Sequence, residues 1–414
     1  MHTLIIGAGV IGLSTAHYCV QRGHRVTVIE RQPQRRDGCS FGNAGMIVPS
    51  HFIPLAAPGM VKLGLKWMWN PESPFYVKPR VSWDLLSWGM RFWRAANKQH
   101  VARCAPLLRD LSLASRACYE ELAADGHEFS LVKKGLLMLC KTQHTLDEEG
   151  KTAAQARALG IPAEELNARQ TAAKDPGVTM DVAGSVYFPK DCHLSPAPFM
   201  QSLEDRLTKA GAEFRWSTEV TGFVTRDGRV AAVRTGAGEV EADEIIIAGG
   251  SWSPLMAKEL GLRLPMQAGK GYSLTVRNPR QLPAICSIFT EARVAVTPMD
   301  GALRVGGTME IAGLNERINA RRVHGIIKAV PQYYPEFRTG DFDGFPPWSG
   351  LRPCSPDGMP YMGRTAKWKN VTLATGHAMM GLSLGPVTGR LIAQVIGGER
   401  TEIDLALLSP DRYA

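Results

Sequence analysis

The sequence predicts an α/β protein. One domain is a parallel sheet assembled from three separated stretches of chain, and a second domain combines an antiparallel sheet with helices. Three observations lead there. Leu4-Ile5-Ile6 passes directly into Gly7-Ala8-Gly9-Val10-Ile11-Gly12 and then into a stretch of helical character, Leu13 to Arg22. Two further apolar runs, residues 240–248 and Val371–Thr375, end far along the chain in the glycine turns Gly249-Gly250 and Gly376. Between them the pattern changes, being largely helical over 105–175 and strand-like over 265–345.

The first unit has a physical job for each part. After the helical stretch comes a second apolar run, Val26-Thr27-Val28-Ile29, which ends at Glu30. Strand, glycine turn, helix, strand and acid in this order form a Rossmann-like dinucleotide-binding unit. Gly7 permits the tight turn, Gly9 lets a pyrophosphate approach the backbone, and Gly12 lets helix and strand pack closely. The helix N-terminus offers unpaired N–H groups and a partial positive charge to the phosphates. Glu30 is placed to accept hydrogen bonds from an adenosine ribose. An ordinary glycine-rich turn would need neither the second strand nor the acid.

The remaining elements follow in order. A second glycine-rich loop, Ser40-Phe41-Gly42-Asn43-Ala44-Gly45, comes after Glu30. A helix is expected over Pro198–Ala210, with short strands around the turn Asp227-Gly228. Tyr272–Val276 and Arg293–Pro298 read as strands of the second domain. After Gly376-His377-Ala378-Met379-Met380-Gly381 a helix begins near Gly385-Pro386 and runs to Ile396, because glycines followed by proline suit helix initiation. The nucleotide domain is therefore expected over 1–50, 191–262 and 346–414, and the substrate domain over 51–190 and 263–345.

Composition excludes several classes. The chain has 414 residues, 44% hydrophobic and 21% charged, which supports a large core and more than one domain. No leader is expected before a fingerprint that begins at residue 4, and no run of eighteen apolar residues exists to span a membrane. The expected location is cytoplasmic, at most on a membrane surface. The eight cysteines form no CxxC pair, so they read as reduced thiols, and no Cys/His cluster has metal-ligand spacing. A net charge of +9 favours anionic partners: a dinucleotide, a carboxylate substrate, an anionic lipid surface. No recognition motif supports nucleic acid.

Five segments carry a resemblance: Ser40–Ile47 (SFGNAGMI), Lys270–Ser273 (KGYS), Gly306–Gly313 (GGTMEIAG), Gly350–Gly363 (GLRPCSPDGMPYMG) and Gly376–Gly389. Together, over essentially the whole chain, they resemble the FAD-dependent D-amino acid oxidase superfamily. More narrowly they are similar to the bacterial D-amino acid dehydrogenases, with the overall pattern nearest the group acting on D-proline and cis-4-hydroxy-D-proline. The resemblance implies non-covalent FAD, a substrate sheet that roofs the flavin, and hydride transfer from the amino acid Cα to flavin N5. It implies cofactor contacts from Gly7, Gly9, Val10, Ile11, Gly12, Glu30 and Arg31, and from Ser40, Asn43, Ala44, Gly45 and Met46. Further contacts are implied from Val220, Gly249 and Trp252, from Gly350 and Arg352, and from Gly376, His377, Met379, Gly381, Leu382 and Ser383. The residue pattern agrees with FAD over NAD, since the second strand leads into a glycine loop instead of another βαβ unit. The helix opening after Gly381–Gly385 would aim its positive end at the flavin N1/C2=O edge. Rival readings are a glycine- or sarcosine-type oxidase, a flavin subunit that only relays electrons, and a NAD enzyme.

Arg352 occupies the family's substrate-carboxylate position, and a guanidinium fork suits a carboxylate. The alternative is a structural salt bridge. The Tyr272 hydroxyl is a candidate to hold the carboxylate or amine, against a plain core tyrosine. His51 follows the flavin loop and is a third catalytic candidate; His377 is expected to matter more through its backbone. Asp357-Gly358 reads as a turn. Cys354 does not match the spacing of a covalent flavin attachment.

Residues 62–98 stand apart. They hold Trp67, Trp69, Trp83, Trp88 and Trp93, together with Phe75, Tyr76 and Phe92. Lys62, Lys66, Lys78, Arg80, Arg91, Arg94 and Lys98 face only Glu72 and Asp84 in charge. Aromatic and basic residues together suit a membrane interface, and electrons would then pass to a quinone or another respiratory acceptor. An aromatic subdomain wall or subunit contact is the competing reading.

Overall fold

A computed structural model describes residues 1–414 apart from Trp69 and Pro71. A six-stranded sheet runs in the order Tyr361–Arg364, Val371–Thr375, Glu244–Ile247, His2–Ile6, Arg25–Ile29, Glu213–Arg215. All neighbours are parallel except the first pair. Its central strands are buried along their length, as the continuous apolar runs Leu4–Ile6 and Ile245–Ile247 require. Residues from the start, middle and end of the chain thus share one sheet.

The helix after the glycine turn spans Val10–Gln21, and the C-terminal helix spans Gly385–Ile396. They pack side by side through small residues. A Cβ on Gly389 would overlap the Ser14 backbone, and one on Gly385 would lie 2.8 Å from the Val10 side chain. Each helix follows a strand of the same parallel sheet, so both N-termini sit at its carboxyl edge, where open α/β sheets bind ligands.

The second sheet has nine strands. Trp348–Cys354, Gln267–Arg277, Ala302–Ile311, Val294–Met299 and Cys286–Phe289 are followed by Leu136–Cys140, Gly184–Phe188 and Glu164–Asn167, with Phe75–Val77 beside Ala302–Ile311. The expected antiparallel sheet is mixed. Leu136–Cys140 runs parallel to Cys286–Phe289, and Phe75–Val77 parallel to Ala302–Ile311. The strand Leu136–Cys140 lies inside the stretch read as helical. Its five residues are all buried, and a short run buried on both faces has no period to reveal it. The strand Trp348–Cys354 carries this sheet past residue 345, pairing antiparallel with Gln267–Arg277. Helix Ala320–Tyr333 covers the far face, burying Val323, Ile326 and Val330 against Tyr272, Leu274 and Val276.

Candidate active site at the carboxyl edge of the parallel sheet

The glycine turn needs its glycines for different reasons. Gly7 has φ +111°, and a Cβ there would stand 2.6 Å from the Ala248 carbonyl. A Cβ on Gly12 would overlap the Gly7 carbonyl, which is how the helix closes against the strand end. Gly9 meets nothing nearer than the Ser40 hydroxyl at 3.7 Å, so its outer side is open. Glu30 braces the turn: one carboxylate oxygen accepts from Ala8 N at 2.8 Å, the other from Gln32 N at 2.9 Å. Ser40 Oγ accepts from Val10 N at 3.0 Å.

These groups line a cavity of about 530 Å³. At one end stand Glu30, Arg31, Val220 and Trp252, with the Arg31 guanidinium 3.7 Å above the Trp252 ring. The wall continues past Gly7, Gly9, Val10, Ile11, Gly249, Ser40 and Asn43 to Gly350, Arg352, His377, Gly381 and Leu382. A larger groove of about 810 Å³ lies between helices Val10–Gln21 and Pro196–Lys209 and shares no residue with this cavity.

Arg352 stands on the same wall. It stands on the edge strand, and Nη1 donates to the Thr308 carbonyl at 2.5 Å. Gly271, on the neighbouring strand, leaves room for the guanidinium, which a Cβ would overlap. Burial holds this guanidinium below its ordinary range, and its only ionisable neighbours among the described residues are the Cys39 and Cys354 thiols. Among the described residues no carboxylate pairs with this half-buried cation, so it is not a structural salt bridge and its charge is left free to meet an anion.

The chain matches the FAD dependent oxidoreductase family over residues 2–395. It belongs to that family. A D-amino acid dehydrogenase from Agrobacterium fabrum is 34% identical, with all of both chains covered. One from Bradyrhizobium diazoefficiens is 33% identical over 100% of this chain and 99% of its own. Among solved structures, glycine oxidase from Geobacillus kaustophilus superposes with a TM-score of 0.80 at 24% identity, covering 100% of this chain and 98% of that one. L-proline dehydrogenase from P. horikoshii gives 0.77 at 16% identity, with 100% and 97% covered; these two likenesses concern the fold.

The flavoenzyme's cofactor is FAD, and the cavity fits it on its own terms. The open side of Gly9 and the helix N-terminus suit a pyrophosphate, Glu30 a ribose, and Arg31 with Trp252 a flat base. The helix Gly385–Ile396 has no side-chain cap on its N-terminus; Gly385 N donates to the Leu382 carbonyl at 3.1 Å and Pro386 has no N–H, so what its first turn offers beside Gly381 and Leu382 is chiefly its dipole.

Not every expected contact lies on the wall. Gly12 sits behind the turn. Ala44 packs in a core cluster, Gly45 turns at φ +73° against Leu194, and Met46 is buried in the strand Met46–Ile47. Gly376 turns at φ +81° against Tyr361, Met379 is exposed, and Ser383 Oγ accepts from Val48 N at 3.1 Å. Apart from exposed Met379, these residues shape the loops from behind.

Tyr272 is corrected. Side chains alternate along a strand, so Gly271 faces Arg352 while Tyr272 faces helix Ala320–Tyr333. Its hydroxyl donates to Glu310 Oε2 at 2.6 Å in a buried pair, leaving it a core tyrosine. His51 is also off the wall. Its Nδ1 lies 3.1 Å from Ser50 Oγ, and the same hydroxyl donates to Asp191. Burial, aided by Arg293, lowers its pKa to about 4. His377 lines the cavity with Nε2 3.0 Å from Thr388 Oγ1, and burial lowers its pKa to about 3, so the ring is neutral.

Sequence reading missed Trp348. Its ring fills the space that a side chain on Gly42 or Gly350 would need, and its Nε1 donates to the Asp37 carbonyl at 2.6 Å. The paired glycines facing it were the available signal. Arg36, Asp37 and Cys39 also line the cavity.

Proposed function

We propose that this flavoenzyme is a D-amino acid dehydrogenase that oxidises cis-4-hydroxy-D-proline and D-proline and passes electrons to a quinone or another respiratory acceptor. The observation that carries the reading is Arg352, a half-buried guanidinium on the wall of the cofactor cavity with no carboxylate beside it among the described residues. Relatives named D-amino acid dehydrogenase across their full length support it.

Arg352 binds the substrate carboxylate through two parallel charge-assisted hydrogen bonds. Its bond to the Thr308 carbonyl fixes the fork before substrate arrives. Leu351, Pro353 and Ala378 also line the cavity and give it apolar wall that excludes water. When bound, FAD supplies the hydride-accepting chemistry. The amine reacts in its neutral form. Loss of hydride from Cα leaves an iminium ion, which becomes the imine when its N–H proton passes to water; the imine is cyclic when the substrate is a pyrrolidine, and an acyclic one hydrolyses to the keto acid and ammonia.

The reading extends to attachment at the inner face of a membrane. Helix Trp83–Ala95 exposes Trp83, Leu86, Met90 and Trp93, spaced to form one stripe, beside exposed Arg94 and Lys98. Its other side packs inward through Trp88, whose Nε1 donates to the Cys354 carbonyl at 2.9 Å. Trp69 lies outside the described residues. Among those described, no helix is long and apolar enough to cross a membrane.

The test is kcat/KM with an artificial acceptor for cis-4-hydroxy-D-proline, D-proline, L-proline and D-alanine. The expected order is hydroxylated form, D-proline, then D-alanine, with little for L-proline. Preference for D-alanine makes the enzyme a broader D-amino acid dehydrogenase. Stoichiometric hydrogen peroxide makes it an oxidase, and a flavin that no amino acid bleaches anaerobically makes it an electron relay.

A further inference from the structure

The cofactor loop 37–43 is held almost entirely by side chains of the nine-stranded sheet. Trp348 Nε1 captures the Asp37 carbonyl at 2.6 Å. Arg304 Nη1 captures Phe41 O at 3.0 Å and Asn43 O at 2.8 Å. Ser273 Oγ captures the carbonyl between them, Gly42 O, at 3.0 Å. These three donors stand on three adjacent strands, Trp348–Cys354, Gln267–Arg277 and Ala302–Ile311.

Arg304 is the centre of this clamp. Its Nε donates to Thr275 Oγ1 at 3.0 Å, which aims the guanidinium at the loop. Burial lowers its pKa to about 10, and no ionisable group offsets that burial. A half-buried cation satisfied only by neutral oxygens gains no ion pair to offset its lost hydration, so its worth lies in the carbonyls it holds. Phe41 N donates to Gly38 O at 2.9 Å, closing a turn just before the captured carbonyls. In such a turn carbonyls collect at one end and amides at the other. The guanidinium complements the carbonyl end. The rest of the turn, Gly38, Cys39 and Ser40, forms cavity wall, and Ser40 touches the first residue of the glycine-turn helix.

We propose that Arg304, with Ser273 beside it, is the positioning residue that gives loop 37–43 its FAD-binding shape, so that the substrate sheet sets the affinity for the cofactor. This rests on the family's cofactor and not on the choice of amino acid substrate.

The test uses the full-length apoprotein carrying Arg304→Met, Arg304→Lys or Ser273→Ala. FAD affinity is read from quenching of flavin fluorescence. Loop order is read from the rate at which iodoacetamide alkylates Cys39, since the other seven cysteines are buried. Arg304→Met is expected to weaken FAD binding by about tenfold or more and to speed Cys39 alkylation, because two charge-assisted bonds are lost. Arg304→Lys is expected to recover part, an ammonium lacking the fork. At saturating FAD the kcat of Arg304→Met is expected to return close to wild type, which loss of a catalytic group would not allow. Arg304→Met with native near-UV circular dichroism, unchanged FAD affinity and unchanged Cys39 reactivity overturns the proposal. If that variant does not fold, Ser273→Ala decides. A weakening of about threefold at unchanged Tm supports the clamp, since one hydrogen bond is lost, and unchanged affinity overturns it.

Discussion

Gly271 lies directly against the guanidinium of Arg352, so that a single added carbon would overlap it. The charge proposed to bind substrate is therefore placed by the absence of a side chain on the neighbouring strand. Gly271→Ala is expected to displace Arg352 and raise KM while FAD stays bound, with an overpacking cost of about 1–3 kcal/mol. Arg352→Ala is expected to cost about 2–5 kcal/mol of substrate binding, and Arg352→Lys to recover only part. Steady-state kinetics at saturating FAD check both, and an unchanged KM and kcat in Arg352→Ala removes the clamp.

Glu30 accepts hydrogen bonds from Ala8 N and Gln32 N at one end of the cavity. Glu30→Ala is expected to weaken FAD binding by about 1.5–3 kcal/mol, through the lost ribose contact and the loosened turn. Fluorescence titration of the apoprotein measures it, and wild-type affinity would take Glu30 out of the site.

Helix Trp83–Ala95 is expected to bind vesicles containing anionic lipid, less strongly as salt rises. The informative variant replaces Trp83 and Trp93 with serine, because both are exposed while Trp88 is buried against Cys354. Equal flotation of variant and wild type, or flotation of neither, assigns the stripe to a protein contact.

Stability is expected to fall below neutral pH. Burial lowers His17, His51, His127 and His193 to a pKa of about 4 and His377 to about 3, from 6.5. Between pH 6.5 and 4 the unfolded chain binds protons that the folded chain refuses. Their contribution is complete above pH 6.5 and drains as pH falls, at up to about 1.4 kcal/mol per unit for each ring. Asp191 acts oppositely: burial raises it from 3.8 to about 7, so the fold favours its protonated form. Glu149, Glu204 and Glu244 are raised by burial in the same sense, but five rings outnumber these four carboxyls, and Tm should drop as pH falls from 6.5 to 5. A flat Tm would mean that these rings are not held neutral.

Much of the fold was legible. The turn at Gly7–Gly12, the second strand ending before Glu30, and the two distant strand–glycine turns are local patterns, and each became a strand or turn of one sheet. What escaped was the strand Leu136–Cys140, whose burial on both faces erased its period, and the parallel pairings of the second sheet, which no local signal encodes.

The site divides in the same way. By itself the sequence determined a strand, a glycine turn and a helix whose N-terminus suits a dinucleotide, because steric and dipolar demands there fall on residues a few positions apart. It could not determine which side of a strand faces the cavity. Only the tertiary structure put Arg352 and Gly271 on one face of the sheet and Tyr272 on the other, where Glu310 takes its hydroxyl. Nor could it show that Arg304 and Trp348, some 260 and 310 positions beyond the loop, hold that loop's carbonyls. Those contacts exist because two sheets dock through one loop, and docking is a property of the packed chain.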